Sequence, residues 1–141
     1  GDAGRSTPIA GETANAEGES YIDAAKLNEL VAILDPVRAV ALIEEFEVTM
    51  RRDLSGLEAA IATTDLIQAT KLAHRGKGLC LVMGTSALAS RLSAVELAAE
   101  ARDAEAARAL MRDAPKCLEL TLQAMNAAVQ ASASSPSTMA S

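Results

Sequence analysis

His74 lies in the run Ala73-His74-Arg75-Gly76-Lys77-Gly78 and is the single histidine of the chain. Apolar residues around it recur at helical spacing, so a lysine three residues on and a glycine four residues on share its helix face. Such a face offers an imidazole, a positive charge and a patch free of side chain, which suits a phosphoryl group arriving from a partner protein. Neutral imidazole has a nitrogen lone pair that can attack phosphorus and form a phosphoramidate. Lys77 can then compensate the charge on the phosphoryl oxygens. Gly78 removes the side chain that would hold a donor away. Lys71, Arg75 and Lys77 are expected to place positive charge round the ring and so favour its neutral, nucleophilic form. Residues 65–83 carry three cations against one acid, within a chain of net charge −6. That local excess suits an acidic partner surface.

At 100° per residue, Leu72, Gly76, Leu79 and Met83 point in one direction. His74 points the opposite way, among Ile67, Thr70, Lys77, Gly78 and Leu81. The residues expected to meet the partner are Ile67, Thr70, Lys71, Arg75 and Leu81. A lone histidine on a helix most often has no role. Here the outward orientation, with Lys77 and Gly78 beside it, weighs against that reading.

The element carrying His74 is predicted to begin near Asp65, with Gln68 placed to close a capping box, and to stop at Gly84, a suitable left-handed C-terminal residue. Before it, Ser20-Tyr21-Ile22-Asp23 forms a capping pattern for a helix burying Leu27, Leu30, Val31 and Leu34. Asp35-Pro36 then opens a long helix with the stripe Ile43, Phe46, Met50, Leu54, Leu57 and Ile61, unbroken through Gly56. After Gly84, a helix from Thr85 or Ser86 buries Leu88, Leu92, Val95 and Ala99. Asp103 caps a last one carrying Leu110, Ala114, Cys117, Thr121 and Met125 inward. Pro115 should kink or break it at 111–115. Residues 1–19 read as linker, 20–131 as one domain and 132–141 as a disordered tail. Short loops make neighbouring helices antiparallel. The expected fold is all-α, an up-and-down four-helix bundle with an additional N-terminal helix.

Composition narrows the function. Half of the residues are hydrophobic, but with one Phe, one Tyr and no Trp the core is fine-grained and favours packed helices. The acidic balance argues against nucleic acid as a partner. No run is long enough to span a bilayer, so no membrane partner is expected for this segment. Cys80 and Cys117 lack Cys-x-x-Cys spacing and read as buried reduced thiols, suiting a cytoplasmic location, with no metal and no cofactor. A nucleotide site at Gly76-Lys77-Gly78 fails, because no strand precedes it, the glycine spacing is wrong and no Ser or Thr follows the lysine. Glu44-Glu45 reads as solvated charge. The remaining rival is a helical adaptor or dimerisation module in which His74 is incidental.

The run around His74 resembles the core Ala-His-x-(Leu)-Lys-Gly of the histidine phosphotransfer (HPt) domain family. Gly84, Leu88, Leu92 and Val95-Glu96 follow at the steps that family uses, and Leu57, Ala60 and Asp65 precede in register. The resemblance covers roughly residues 21–130. It implies a four-helix bundle that takes a phosphoryl group on His74 from a receiver-domain aspartate and passes it to another receiver, within a phosphorelay and without kinase activity of its own. The receivers are free-standing or part of a hybrid sensor kinase. One position departs: where the family usually has a bulky residue two after the histidine, this chain has Gly76. Either a neighbouring helix comes closer there, or a larger side chain such as Phe46 fills the space.

Overall fold

The computed structural model describes residues 21–140, with side chains to residue 132. Among them are six helices and no strand: α1 (Ala24–Ile33), α2 (Pro36–Ala62), α3 (Leu66–Met83), α4 (Ser86–Glu100), α5 (Ala104–Met111) and α6 (Ala114–Ala140). The chain is all-α. The linker expected over residues 1–19 and the Ser20 of the first capping pattern lie outside the described residues. Asp23 caps α1 instead, its carboxylate accepting the Lys26 N–H at 3.2 Å.

Local chemistry sets the other boundaries. Asp35 accepts the Arg38 N–H at 2.8 Å, and Pro36 occupies the first turn of α2, where its missing N–H costs nothing. Asp65 and Asp103 cap α3 and α5 in the same way, accepting from Gln68 and Ala106. Gly84 ends α3 at φ 74°, a left-handed conformation that a Cβ would strain. The expected break before Pro115 falls at Arg112 and Asp113, dividing the last helix into α5 and α6. The backbone of α6 stays helical to Ala140, through the stretch read as a tail.

The core lies between α2, α3, α4 and α6, closed by α1 at the α3–α4 turn and by α5 at the opposite end, beside the end of α2. All six residues of the α2 stripe are buried, as are Leu88, Leu92, Val95 and Ala99 of α4. On α3 the inward face is turned from expectation. Ala69, Ala73, Gly76, Cys80 and Met83 enter the core, while Leu72 and Leu79 are half-buried. Small residues on that face let α4 lie close against α3. A Cβ on Gly76 would stand 3.0 Å from Leu92 Cδ1 and 3.6 Å from Met50 Cε, so Leu92 and Met50, not Phe46, fill the space left by the missing side chain. Leu72 rests over the flank of Gly56, its Cδ1 3.6 Å from where a Cβ would be. At the far end of α3, the Asp23 N–H donates to the Gly84 carbonyl at 2.6 Å and ties α1 to the α3–α4 turn.

Candidate functional site

The site is built where α3 and α4 run side by side. His74 sits near the middle of α3 with its side chain 70% exposed. Its Nδ1 lies 2.9 Å from Oε2 of Glu96 on α4, and the other oxygen of that carboxylate lies 2.8 Å from Lys77 Nζ. Glu96 is largely covered, its side chain 12% exposed. The Lys77 ammonium holds the Glu96 carboxyl below the usual glutamate range, burial opposes this, and the His74 hydrogen bond adds to it. An ionised carboxylate only accepts hydrogen bonds, so Nδ1 carries a proton and donates it to Glu96. The lone pair for chemistry is then left to Nε2, the ring nitrogen away from Glu96.

Gly78 leaves the approach open. A Cβ built there meets nothing within 4 Å. Between His74 and Gly78 on this face the helix therefore presents an imidazole beside bare backbone, the ring held by the Glu96 carboxylate, which is itself bonded to the Lys77 ammonium.

The expected ring of three free cations is not what surrounds His74. Arg75 turns to the opposite flank of α3, where its Nη2 donates to Asp53 Oδ1 at 2.8 Å. Asp53 is a buried carboxylate on α2, and a charge so placed needs a cation nearby. Lys77 is bound to Glu96. Lys71 is exposed on the outer face of α3, as is Arg75 on its own flank. The charge nearest the ring is thus the Glu96 carboxylate, which local sequence reasoning about α3 could not supply.

Of the other residues expected to meet a partner, Ile67 and Leu81 are exposed on α3. The Thr70 hydroxyl donates to the Leu66 carbonyl at 2.8 Å, within its own helix. Beyond Arg75, the α2–α3 flank forms an open groove of about 420 Å³ lined by Arg52, Asp53, Gly56, Gln68, Leu72 and Arg75. Val82 of α3 and Leu97 of α4 are also exposed, and neither was among the residues singled out from sequence.

Cys80, on the buried face of α3, is desolvated, which pushes its thiol up to about 11 against a lowering hydrogen bond from Thr85. It stays protonated at neutral pH and is a poor nucleophile. Among the described residues no group of His, Cys, Asp and Glu could hold a metal ion. Nor is any described helix long and apolar enough to cross a membrane.

Comparison with known proteins finds one family: the model of the Hpt domain matches residues 41–132, well over half of the chain. Neither the curated proteins nor the solved structures contain a significant match.

Proposed function

The chain belongs to the Hpt domain family, and from that premise we propose that His74 accepts a phosphoryl group from the aspartate of one receiver domain and delivers it to another. Hpt domains are phosphocarriers in phosphorelays rather than kinases. The observation that supports His74 as the carrier is its exposed imidazole, with Nδ1 bonded to Glu96 and Nε2 left free.

In this reading the Nε2 lone pair attacks the phosphorus of the aspartyl phosphate. The P–O bond to the aspartate breaks, and its electron pair returns to the carboxylate. Nδ1 keeps its proton throughout, and the positive charge that develops on the ring is matched by Glu96 across a 2.9 Å hydrogen bond. Lys77, already held in the same network, compensates the phosphoryl oxygens, while the bare flank at Gly78 admits the receiver. Reversal of the same steps delivers the group to a second aspartate. Ile67, Thr70, Lys71 and Leu81 contribute to receiver docking, in a cytoplasmic phosphorelay, while Arg75, expected there from sequence, is turned to Asp53 on the α2 flank. Residues 20–131 form the working domain.

The test is direct transfer. A receiver domain phosphorylated with labelled phosphate should pass acid-labile, base-stable label to this chain, and a His74→Gln chain should take none. Labelling of the variant at the wild-type level would remove His74 from this role.

A further inference from the structure

The exposed large apolar side chains among the described residues fall into two groups. Ile67, Leu81, Val82 and Leu97 lie on α3 and α4; Ile33, Val37, Val40 and Val48 lie on α1 and α2. Isolated exposed apolar residues need no explanation, but clusters beside a reactive group do. Geometry decides which cluster belongs to the site. On α4 the core-facing residues are Leu88, Leu92, Val95 and Ala99, and Glu96 sits on the shoulder that meets α3, where it bonds to His74 and Lys77. One residue further, Leu97 is turned about 100° from Glu96, away from the core and onto the outer face of α4. It is 64% exposed. Because α3 and α4 are antiparallel and Glu96 is level with His74, Leu97 lies at nearly the same height on the outer face of the neighbouring helix, slightly toward Thr70. Ile67 and Leu81, about two turns either side of His74, lie on the same half of α3.

The other flank of α3 has a different character. Arg52, Arg75, Gln68 and the buried Asp53 line the groove toward α2, and their charges are paired with one another. An apolar surface on a partner would have to strip water from these groups to settle there.

Resting on the phosphotransfer reading, we propose that the receiver docks astride α3 and α4, not α2 and α3, and that Leu97 is the apolar anchor of that contact and a determinant of receiver choice. The occupant is a receiver surface with an apolar patch beside its acidic phosphoaspartate pocket: the patch covers Leu97, Ile67 and Leu81, while the pocket meets His74 with Lys71 at its rim. This contact is continuous with the phosphoacceptor itself, since Leu97 adjoins the residue that bonds to His74. Truncating a central apolar anchor weakens association mainly through faster dissociation, so its mark is a higher half-saturating concentration of receiver with transfer at saturation largely preserved.

The experiment takes the receiver that phosphorylates the wild-type chain fastest in a panel of phosphorylated receiver domains. Transfer is then measured against receiver concentration for Leu97→Glu, Leu97→Ala and, on the other apolar cluster, Val48→Glu. Leu97→Glu should raise the half-saturating concentration about tenfold or more, Leu97→Ala less, and Val48→Glu within twofold of wild type. Circular dichroism should be unchanged in all three, as each residue is exposed. If Val48→Glu impairs transfer and Leu97→Glu does not, the footprint lies over α2 and the proposal is overturned while the phosphotransfer reading stands. If both are without effect, Leu97 is no anchor and the proposal is likewise overturned. Should the wild-type chain accept no phosphoryl group either from the panel or from phosphoramidate, the phosphotransfer reading itself fails and this docking assignment falls with it.

Discussion

The carboxylate of Glu96 lies 2.9 Å from Nδ1 of His74, across the seam between α3 and α4 and 22 residues along the chain. Two consequences follow for the imidazole: its tautomer is set, and its rotation is restrained although most of the ring is in water. Removing the acceptor should release both. Glu96→Ala is expected to slow phosphoryl uptake about tenfold or more, whereas Glu96→Gln, which keeps an acceptor, should lose less. Nitrogen NMR of the ring checks the cause, because the proton should sit on Nδ1 in the wild type and redistribute in Glu96→Ala. An unchanged ring spectrum in Glu96→Ala would disprove the positioning role.

The same carboxylate makes stability depend on pH. Its folded value is depressed, chiefly by Lys77, so the contribution to stability is complete above the unfolded glutamate value of about 4.3 and is lost as pH falls through the lower folded value. The wild type should therefore melt a few degrees above Glu96→Gln at pH 7, on the order of 1 kcal/mol for a partly covered pair. That gap should narrow as pH falls below about 4.3 and close in more acidic solution. A gap that stays constant over this range would mean that the pair contributes through packing and not through charge.

Much of the framework was legible before any coordinates. Asp35-Pro36, Asp65, Gly84 and Asp103 mark boundaries because capping is decided by a few adjacent residues. Pro115 marked the α5–α6 break for the same reason. Gly76 and Met83 face inward as expected. The rotation that brings Ala69, Ala73 and Cys80 into the core was not legible, because hydropathy weights Leu72 and Leu79 above these smaller residues, yet it is the small residues that permit close approach of α4. Nor was the pairing of charges. Glu96 with His74 and Asp53 with Arg75 are contacts between helices, and helical spacing within one element is silent on them. A signal for the first did exist. His74 is ten residues before Gly84 and Glu96 eleven after Thr85, so a tight antiparallel turn brings them level.

Gly76 offers a test of the close α3–α4 packing. The space beside it is occupied by Leu92 and Met50, both fully buried. Gly76→Leu, restoring the bulky residue usual two places after such a histidine, should overpack the core and destabilise the domain by about 1–3 kcal/mol, in spite of a better helix propensity. Chemical denaturation measures it. A stabilised variant would contradict the packing described.

Gly78 and Lys77 separate steric from electrostatic roles. With no neighbour within 4 Å of its would-be Cβ, Gly78→Leu should keep or raise stability, by roughly 0.5–1 kcal/mol from helix propensity, and yet slow transfer from a receiver strongly. Lys77→Ala should slow transfer without obstructing docking, leaving the half-saturating receiver concentration nearly unchanged. Wild-type transfer by Gly78→Leu would place the receiver on another face.

The most direct measurement maps the label. After incubation with a receiver domain carrying labelled aspartyl phosphate, the chain is digested under alkaline conditions and the phosphopeptide sequenced by mass spectrometry. The account predicts a single acid-labile, base-stable phosphoryl group on the peptide containing His74, absent from a His74→Gln chain whose helical circular dichroism matches the wild type. Label on any other residue, or none from any receiver while the fold is intact, would contradict it and leave a helical adaptor with an incidental histidine.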